Sequence, residues 1–149
     1  MTPGPRIEVR PVAPEDLAKP LSLLEEALRN GKPVPPLFAE QLAQAVERGD
    51  LELLAAWVNG GLVGVTVLAF RSSISLGAPF VSIEDLYVKP GARRRGAGRA
   101  LLRAVEERCK ERGVSYVEVQ TDGEAAAFYI GLGYKPEEEV RVLSCSYVF

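Results

Sequence analysis

The chain has 149 residues, of which 47% are hydrophobic, with 18 basic and 20 acidic side chains and a formal net charge of −2. A chain of this length can bury about 68–70% of the surface that its unfolded form exposes, so we expect residues 1–149 to form a single domain without metal or disulfide support. The sequence contains no histidine. Catalytic groups that depend on an imidazole are therefore excluded, and carboxylates, tyrosines, arginines and backbone amides remain for any chemistry.

Charge, cysteine and hydropathy patterns exclude further classes. A net charge this close to zero gives no overall field that would gather nucleic acid. Cys109 and Cys145 have neither the spacing of metal ligands nor that of a disulfide framework, which indicates a reducing compartment. Neither a signal peptide nor an apolar run of about 20 residues is recognised, so we expect a cytoplasmic protein without a membrane span.

The first third of the chain predicts one strand and two helices. Residues 6–12 alternate apolar and charged side chains beside a proline, which is typical of a half-buried strand. Pro14 opens a helical pattern, with Pro20 as either a kink or a later true start. A second helical pattern ends at Gly49. The apolar stripes of the two helices contain Leu17, Leu21, Leu24 and Leu28, and then Phe38, Leu42, Ala45 and Val46.

The middle of the chain predicts a hairpin and a further strand. Residues 51–58 and 62–70 are nearly continuous apolar runs, joined by Asn59-Gly60-Gly61, a sequence that tolerates the positive φ of a tight turn. A loop rich in serine and glycine over residues 71–79 leads to a strand over residues 80–88.

The last third alternates helices and strands. A long helix begins in residues 93–98 and ends at Gly113, a strand follows over residues 114–120, and Asp122 caps a short Ala-rich helix. Residues 134–149 have the pattern of a final hairpin. This order of elements predicts a layered α+β fold on a mixed, mostly antiparallel sheet that is partly parallel.

A glycine-rich turn, Arg93-Arg94-Arg95-Gly96-Ala97-Gly98, connects the strand over residues 80–88 to the long helix. Helix N-termini carry unpaired N–H groups and roughly +0.5 of an elementary charge, and glycines let an anion approach the backbone, so the turn is a candidate anion site. It matches neither the nucleotide P-loop nor the dinucleotide fingerprint. By itself the glycine pair fits a plain solvated turn equally well, and three bases in an acidic chain are few for nucleic-acid binding.

Together with two other segments, this turn resembles the GNAT superfamily of N-acetyltransferases. The segments are Ile83-Glu84-Asp85-Leu86-Tyr87-Val88, Arg93-x-x-Gly96-x-Gly98, and Ala126-Ala127-Phe128-Tyr129-Ile130-Gly131-Leu132-Gly133-Tyr134. The order of elements over residues 6–149 resembles that fold nearly end to end. The resemblance implies about four helices, a parallel, splayed strand pair in the centre of the sheet, and acetyl transfer from acetyl-CoA to a primary amine by direct attack in a ternary complex.

The resemblance also assigns the contacts with coenzyme A. Backbone amides of residues 94–99 would hold its pyrophosphate, and the pantetheine arm would enter a gap between the strands over residues 84–88 and 114–120. Within that gap the Leu86 N–H would face the thioester carbonyl. The residues implied to bind the co-substrate are Leu86, Tyr87, Val88, Arg93, Arg94, Arg95, Gly96, Ala97, Gly98, Arg99 and Phe128.

Tyr129 and Glu84 are the expected catalytic residues. By the resemblance, Tyr129 would hydrogen-bond the sulfur and give a proton to the departing thiolate. A phenol pKa near 10 and a thiol pKa near 8.5 make complete transfer uphill by about 2 kcal/mol, so hydrogen bonding alone is an equal alternative. Glu84 would accept the proton of the amine. A water relay is one alternative, and a structural carboxylate that faces solvent or a neighbouring arginine is another. Strand alternation predicts Glu84 on the face of Leu86 and Val88, and Asp85 on the other unless a bulge inverts the register.

The sequence does not specify the acceptor, which is a small cationic amine or a protein amino group. We expect its pocket between the first two helices, the loop over residues 71–79 and the terminal hairpin, where Glu40 and residues 137–139 would attract a cation. Residues 119–122 are similar to aminoglycoside 3-N-acetyltransferases, so an aminoglycoside is one alternative, and a non-catalytic acyl-CoA-binding module is another. The terminal strands fit a homodimer or an intramolecular sheet edge equally well.

Overall fold

The computed structural model describes residues 6–149. Within this range the chain forms five strands and four α-helices: β1 Ile7–Pro11, α1 Ala18–Arg29, α2 Pro36–Arg48, β2 Leu51–Val58, β3 Gly61–Ser73, β4 Ala78–Val88, α3 Ala97–Arg112, β5 Val117–Val119 and α4 Gly123–Ile130. Short 3-10 turns, Pro14–Asp16 and Pro90–Ala92, precede α1 and α3. None of the helices in residues 6–149 is long and apolar enough to cross a membrane.

The five strands form one sheet in the order β1-β2-β3-β4-β5. Every neighbouring pair is antiparallel except β4 and β5, which are parallel. The predicted mixed, mostly antiparallel sheet with about four helices is thereby confirmed. In the part of the chain that the structure describes, β5 has no strand on its outer side, so the parallel pair lies at one edge of the sheet.

Helices cover both faces of the sheet and produce two hydrophobic cores. Leu24 of α1 packs on one face, while Leu101 of α3 packs on the other. Successive side chains of a strand point to opposite faces. Leu53 and Leu54 of β2 therefore enter different cores, and both are almost completely buried. Burial on two faces explains why β2 and β3 have continuous apolar runs in place of alternation.

The first helix begins later than its proline pattern suggests. Pro14–Asp16 forms a 3-10 turn, and α1 starts at Ala18, which makes Pro20 part of its first turn. A proline is tolerated there because its missing N–H would have had no partner within the helix. The alternative of a later true start is therefore confirmed. Leu28, the last residue of the predicted stripe, is 59% exposed.

The predicted terminal hairpin is wrong. Residues 134–149 contain a turn but no strand, and the large apolar side chains from Val140 onward are exposed, with Leu143 at 90% and Val148 at 99%. A hairpin of two strands is marginally stable in water unless it packs on another element. The apolar pattern of this segment is therefore present, but in residues 6–149 it has no partner that would make it a strand.

Candidate active site

A bulge in β4 is the main irregularity of the sheet. Asp85 and Ile83 pair with consecutive residues of β3, which leaves Glu84 without a partner. A bulge of this kind bends the strand and increases its local twist. The parallel ladder with β5 ends at Ile83 as well. The two strands therefore separate at this point, and the edge of residues 85–88 that faces away from β3 is open.

Hydrogen bonds show which main-chain groups face this opening. The N–H of Lys89 donates to the carbonyl of Val63 in β3 at 2.8 Å. Main-chain groups alternate between the two sides of a strand, so the groups of Tyr87 point to β3 as well. Those of Leu86 and Val88 point into the gap. This orientation is the one that the resemblance requires of the Leu86 N–H, while the carbonyl of Val88 accepts a hydrogen bond from Arg93 Nε.

The bulge also decides which way the side chains face. Leu86 and Val88 pack against the core below α3, whereas Tyr87 packs against the core below α1 and α2. Asp85 lies directly opposite Val67, a member of the α1 and α2 core. Opposite residues of an antiparallel pair share a face, so Asp85 lies on the α1 and α2 side.

Glu84 lies on the same side as Asp85. Its carboxylate accepts a 2.5 Å hydrogen bond from Arg71 Nη2. Arg71 follows Phe70, whose ring packs against the α3 core, so alternation places Arg71 on the α1 and α2 side. The prediction that Glu84 shares the face of Leu86 and Val88 is therefore wrong, because the extra residue of the bulge reverses the alternation after it.

The two adjacent carboxylates have different surroundings. Burial raises the pKa of Asp85, and the negative charge of Glu84 raises it further. Thr66, which is fully buried, donates to the carbonyl oxygen of Asp85 at 2.8 Å and holds the main chain at the bulge. Glu84 is instead exposed and engaged by Arg71. Asp85 is thus the less solvated carboxylate and the better suited to accept a proton.

The glycine-rich turn opens α3 without a side-chain cap. Gly96 precedes the helix with φ of 90°, and no side chain hydrogen-bonds to the first turn. Arg94 also has a positive φ, 63°, which is uncommon for a residue with a side chain and is often found at binding sites. At Gly98, an added Cβ would lie 3.1 Å from Cζ of Phe128. The absence of a side chain at Gly98 thus makes room for the ring of Phe128, and α4 packs directly against the start of α3.

The arginines of the turn have different positions. Arg93 Nε donates to the carbonyl of Val88 at 3.0 Å, and its guanidinium lies 5.6 Å from the ring centroid of Tyr87. Arg93 therefore fastens the turn to the end of β4. Arg94 and Arg95 are exposed, so their charges can add a weak, solvent-screened attraction for an anion.

α4 holds the predicted catalytic tyrosine. The helix starts at a confirmed cap, since Asp122 Oδ1 accepts from the N–H of Ala125 at 2.8 Å. The ring of Tyr129 is 6% exposed and packs edge-to-face against Phe128 and Tyr134, at centroid distances of 5.2 and 5.4 Å. Burial raises the pKa of Tyr129. The phenol is therefore neutral near pH 7 and available as a hydrogen-bond donor.

Three neighbours of the site were not assigned a role from the sequence. Tyr134 packs on Tyr129, and burial together with nearby charged groups raises its pKa to about 12. Arg71 binds Glu84, although the two residues are thirteen positions apart. Asp85 was the weaker choice of base from the sequence, and the bulge places Glu84 on the same side as it. Tyr134 belongs to the motif that identified Tyr129, whereas nothing in the sequence points to Arg71.

Two cavities adjoin these residues. A groove of about 1080 Å³ is bounded by α3, β5 and α4, and Tyr129, Tyr134 and Arg99 line it. A second cavity of about 740 Å³ lies between α1, β1 and the turn, where Tyr87 and Arg95 line it. The contact between Gly98 and Phe128 connects the glycine-rich turn to the helix that carries Tyr129. Glu84 and Asp85 lie at the bulge itself, on the α1 and α2 side of the sheet.

A family comparison decides the class of this site. The model of the acetyltransferase (GNAT) family matches residues 18–134, a range that contains β4, the turn and Tyr129. The chain belongs to the GNAT acetyltransferase family. The resemblance found in the sequence is thereby confirmed, the enzyme class is that of an acyltransferase, and acetyl-CoA is the co-substrate that the family implies.

Individual relatives agree with the family. The uncharacterized N-acetyltransferase YhfO of Bacillus subtilis (strain 168) is 31% identical over 100 residues, which cover 64% of this chain and 66% of that relative. The match thus spans a little under two thirds of the relative's length.

Solved structures share the fold over nearly the whole chain. An aminoglycoside acetyltransferase from an uncultured soil metagenomic sample, crystallised in complex with trehalose, is 25% identical with a TM-score of 0.77 and coverage of 96% of both chains. A predicted acetyltransferase from Clostridium acetobutylicum, solved with acetyl-CoA, is 16% identical with a TM-score of 0.74 and coverage of 93% of this chain and 96% of that one. At 16% identity the second likeness concerns the fold alone.

Proposed function

We propose that this chain transfers an acetyl group from acetyl-CoA to a primary amine, with residues 1–149 acting as one acetyltransferase domain. The observation that carries the proposal is the open edge of β4 after Ile83, where Leu86 and Val88 direct main-chain groups into the gap. An extended thioester arm can use such groups as a neighbouring strand would. Two further features support the proposal: the phenol of Tyr129 is buried, and the first turn of α3 has no side-chain cap.

The residues of the turn fit the phosphates of coenzyme A. Backbone N–H groups at a helix start favour an anion, and charge-assisted hydrogen bonds are about twice as strong as neutral ones. A Cβ at Gly96 would meet only Ile7 Cδ1, at 3.9 Å, so the backbone beside Gly96 is open, whereas the space beside Gly98 is occupied by the ring of Phe128. No acidic side chain occurs in residues 86–105, so nothing in that stretch of sequence repels a phosphate. Acetyl-CoA supplies the activated acetyl group.

The proposed chemistry uses groups of the chain on both sides of the thioester. The N–H of Leu86 hydrogen-bonds its carbonyl oxygen and stabilises the negative charge that develops there during attack, an effect of about 3 kcal/mol at comparable sites. Tyr129 donates a hydrogen bond to the sulfur. Because burial raises the pKa of Tyr129, complete proton transfer to the thiolate is less favourable than for a solvated phenol, and the hydrogen-bonding role is preferred.

The carboxylate pair supplies the proposed base. An alkyl amine arrives mostly protonated and must lose a proton before it attacks. Glu84 is the base that the sequence predicts, but its carboxylate is bound to Arg71. Asp85 is half-buried beside it, and its raised pKa makes it a stronger base than a solvated aspartate. We therefore favour Asp85 as the proton acceptor, with the neighbouring Glu84 raising its pKa.

A small cationic amine is the acceptor class that we propose. The side of the bulge away from α3 presents two carboxylates, Glu84 and Asp85. Arg71 offsets the charge of Glu84, so these three groups together carry one negative charge, which attracts a cation. Within this class an aminoglycoside is a specific candidate, because the soil-metagenome aminoglycoside acetyltransferase matches 96% of the chain at a TM-score of 0.77. A protein amino group is the remaining alternative.

A thiol-release assay tests the proposal. The protein is incubated with acetyl-CoA and a panel of polyamines, aminoglycosides, amino acids and peptides, while free coenzyme A is followed against a reaction without acceptor. We expect acceptor-dependent thiol release with at least one cationic amine. Uptake of acetyl-CoA in calorimetry without turnover on any amine would instead support a non-catalytic acyl-CoA-binding module. No uptake of coenzyme A by the folded protein would overturn the proposal.

A further inference from the structure

The cavity of about 740 Å³ lies at one end of the sheet, where four strands begin or finish. Ile7 begins β1 opposite Val58, the last residue of β2. Beside them, the N–H of Lys89 after β4 donates to the carbonyl of Val63 in β3. Side chains of α1 and the 3-10 turn Pro90–Ala92 form the remaining walls. We call this space the sheet-end cavity.

The walls of the sheet-end cavity are mostly apolar. The apolar residues that line it are Ile7, Leu23, Val58, Val63, Tyr87, Ala92 and Ala97. Leu23 and Ala97 are buried, and Tyr87 supplies an aromatic surface. Small-molecule sites in proteins are typically cavities of about 300–1,000 Å³ with apolar and aromatic walls and few polar groups. The sheet-end cavity therefore has the size and the lining of a small-molecule site.

The two hydrophobic cores meet at the sheet-end cavity without filling it. Ile7 and Val63 pack against the core below α3, whereas Leu23 and Tyr87 pack in the core below α1 and α2. Within residues 6–149, these four side chains line an open space between the cores. Protein interiors contain few voids larger than a water molecule. An apolar ligand that fills this space gains van der Waals contacts that the surrounding side chains do not make with one another.

Charged side chains determine the sign of the ligand. Three exposed charged residues line the sheet-end cavity, namely Lys89, Arg95 and Glu26. Glu26 is the only acid among the described lining residues, so the formal charges of the three sum to +1. Exposed cations beside an apolar cavity favour an anionic group that stays in water while its apolar body is buried.

We propose that the sheet-end cavity binds a fatty carboxylate, with its chain against the apolar walls and its carboxylate beside Lys89 and Arg95. The site is separate from the proposed catalytic groove, because the described residues that line the cavity and those that line the Tyr129 groove have no member in common. It meets the glycine-rich turn only through Arg95 and Ala97. Binding of the carboxylate depends neither on acetyl transfer nor on the acceptor.

Isothermal titration calorimetry with hexanoate, octanoate and decanoate tests the apolar part of the proposal. Each added methylene should lower the dissociation constant by about fourfold, the usual effect of burying one CH₂ group. Decan-1-ol has the same chain without a charge and should bind more weakly than decanoate. Equally weak binding of the three acids would indicate attraction to surface cations alone and would overturn the proposal.

A substitution that fills the cavity tests its location. Val58 is half-buried at the end of β2 and lines the cavity. Val58→Phe should raise the dissociation constant of decanoate at least tenfold without changing the far-ultraviolet circular dichroism. Ile74→Phe places the same ring at a position that is 97% exposed and should not change the affinity. Unaltered binding of decanoate to folded Val58→Phe contradicts the proposal.

Substitutions of exposed charges test the position of the carboxylate without disturbing the core. Lys89→Gln should raise the dissociation constant of decanoate by about two- to threefold, and Glu26→Gln should lower it by a similar factor, since exposed charges contribute weakly. Opposite effects of the two substitutions locate the carboxylate at this end of the cavity. Equal effects in the same direction, or no effect of either, would contradict its placement.

Two other occupants are distinguished by further titrations. Saturating coenzyme A should change the dissociation constant of decanoate by less than about threefold, because the proposed phosphate site contributes only the exposed charge of Arg95 to the cavity. Complete displacement by coenzyme A would place decanoate in the β4 gap and overturn the proposal. Decanoate should bind equally to a chain without residues 2–5. Binding to that shortened chain alone would show that these residues occupy the cavity, which also overturns it.

Discussion

At the scale of single residues, the start of α3 separates the effect of backbone conformation from that of charge. Gly96 has a φ of 90°, which a β-branched residue adopts only with strain. Arg93 is an exposed cation that holds the turn to Val88. If the phosphates bind to backbone N–H groups, the conformation of the turn matters more than its side-chain charge.

We therefore expect Gly96→Val to raise the dissociation constant of acetyl-CoA by about tenfold or more and Arg93→Ala by less than about threefold. Isothermal titration calorimetry measures both. Gly91→Val is the matched control, because a Cβ at Gly91 meets no atom within 4 Å and its φ is not positive. Equal effects of Gly96→Val and Arg93→Ala would show that the phosphate site is misplaced.

Tyr129 offers a test of the leaving-group role. Phenylalanine keeps the packing against Phe128 and Tyr134, at centroid distances of 5.2 and 5.4 Å, and removes only the hydroxyl. We expect Tyr129→Phe to lower kcat by roughly 10²-fold or somewhat less, with little change in the affinity for acetyl-CoA. The thiol-release assay measures kcat. Tyr134→Phe removes the neighbouring hydroxyl and serves as the control, and an unchanged kcat for Tyr129→Phe would exclude the role.

The carboxylate pair predicts a distinctive pH dependence. A raised pKa means that Asp85 loses its basic form at a higher pH than an ordinary aspartate does. The activity should therefore fall as the pH is lowered through that raised pKa. Asp85→Asn should abolish this acid limb of kcat/KM together with most of the activity. Glu84→Gln should keep the limb and move it to lower pH, because the negative charge that raises the Asp85 pKa is gone.

The pH profiles of kcat/KM for the three proteins decide between the two carboxylates. Loss of the limb in Glu84→Gln with its retention in Asp85→Asn would return the base to Glu84. An acid limb that neither substitution alters would favour a water relay.

Residue identities and residue environments were not equally predictable. The motif located Tyr129, Phe128 and Gly96 because their spacing is local. The ion pair of Glu84 with Arg71 was not predictable, since it depends on the bulge. The sequence allowed an inverted register but could not show whether or where an extra residue enters the ladder.

At the scale of the elements, an ion pair between Glu52 and Arg108 connects β2 to α3. Glu52 of β2 is 8% exposed, and its Oε2 accepts from Arg108 Nη2 of α3 at 3.0 Å. Arg112 adds a second link, since its Nη1 donates to the carbonyl of Gly49 at 3.1 Å. These contacts hold the far end of the helix whose first turn forms the proposed phosphate site.

We expect Glu52→Gln to lower the free energy of unfolding by about 1.5–3 kcal/mol, the usual contribution of a hydrogen bond to a charged group. Urea unfolding measures it. Glu107→Gln is the control, because Glu107 contacts Lys110 on the exposed side of α3 and should cause no measurable change. Similar stabilities for Glu52→Gln and Glu107→Gln would show that the link does not stabilise the fold.

Elements were predictable where the sequence carries its own boundary signal. Gly49 and Gly113 end their helices in the left-handed conformation, and Asp122 caps α4 through its side chain. The hairpin pattern of residues 134–149 was misleading, because a strand also requires a hydrogen-bonding partner. That partner is a tertiary feature, and no local pattern specifies it.

At the scale of the whole molecule, buried phenols link global stability to alkaline pH. The pKa of Tyr134 is about 12 in the folded chain, against an ordinary value of 10.0. The unfolded chain therefore loses this proton first as the pH rises. The stability that the buried neutral phenol contributes is fully present below pH 10 and is lost as the pH rises toward 12, by up to about 2 kcal/mol.

Urea unfolding at pH 8, 10 and 11.5 measures this loss. Tyr134→Phe should reduce the decline in the free energy of unfolding, because phenylalanine has no proton to lose. Tyr147→Phe, at a position 76% exposed, is the control and should decline as the unmodified chain does. Parallel curves for all three proteins would mean that Tyr134 is not responsible.

The contact between Phe128 and Gly98 has a consequence for sequence change in this chain. A ring seated within 3.1 Å of where a methyl group would stand couples two positions that are thirty residues apart. A larger side chain at position 98 therefore requires a smaller or displaced side chain at position 128. A bulkier residue at position 98 would push α4 outward and lengthen the distance between the proposed phosphate site and the hydroxyl of Tyr129, so this contact sets the length of thioester that could reach both.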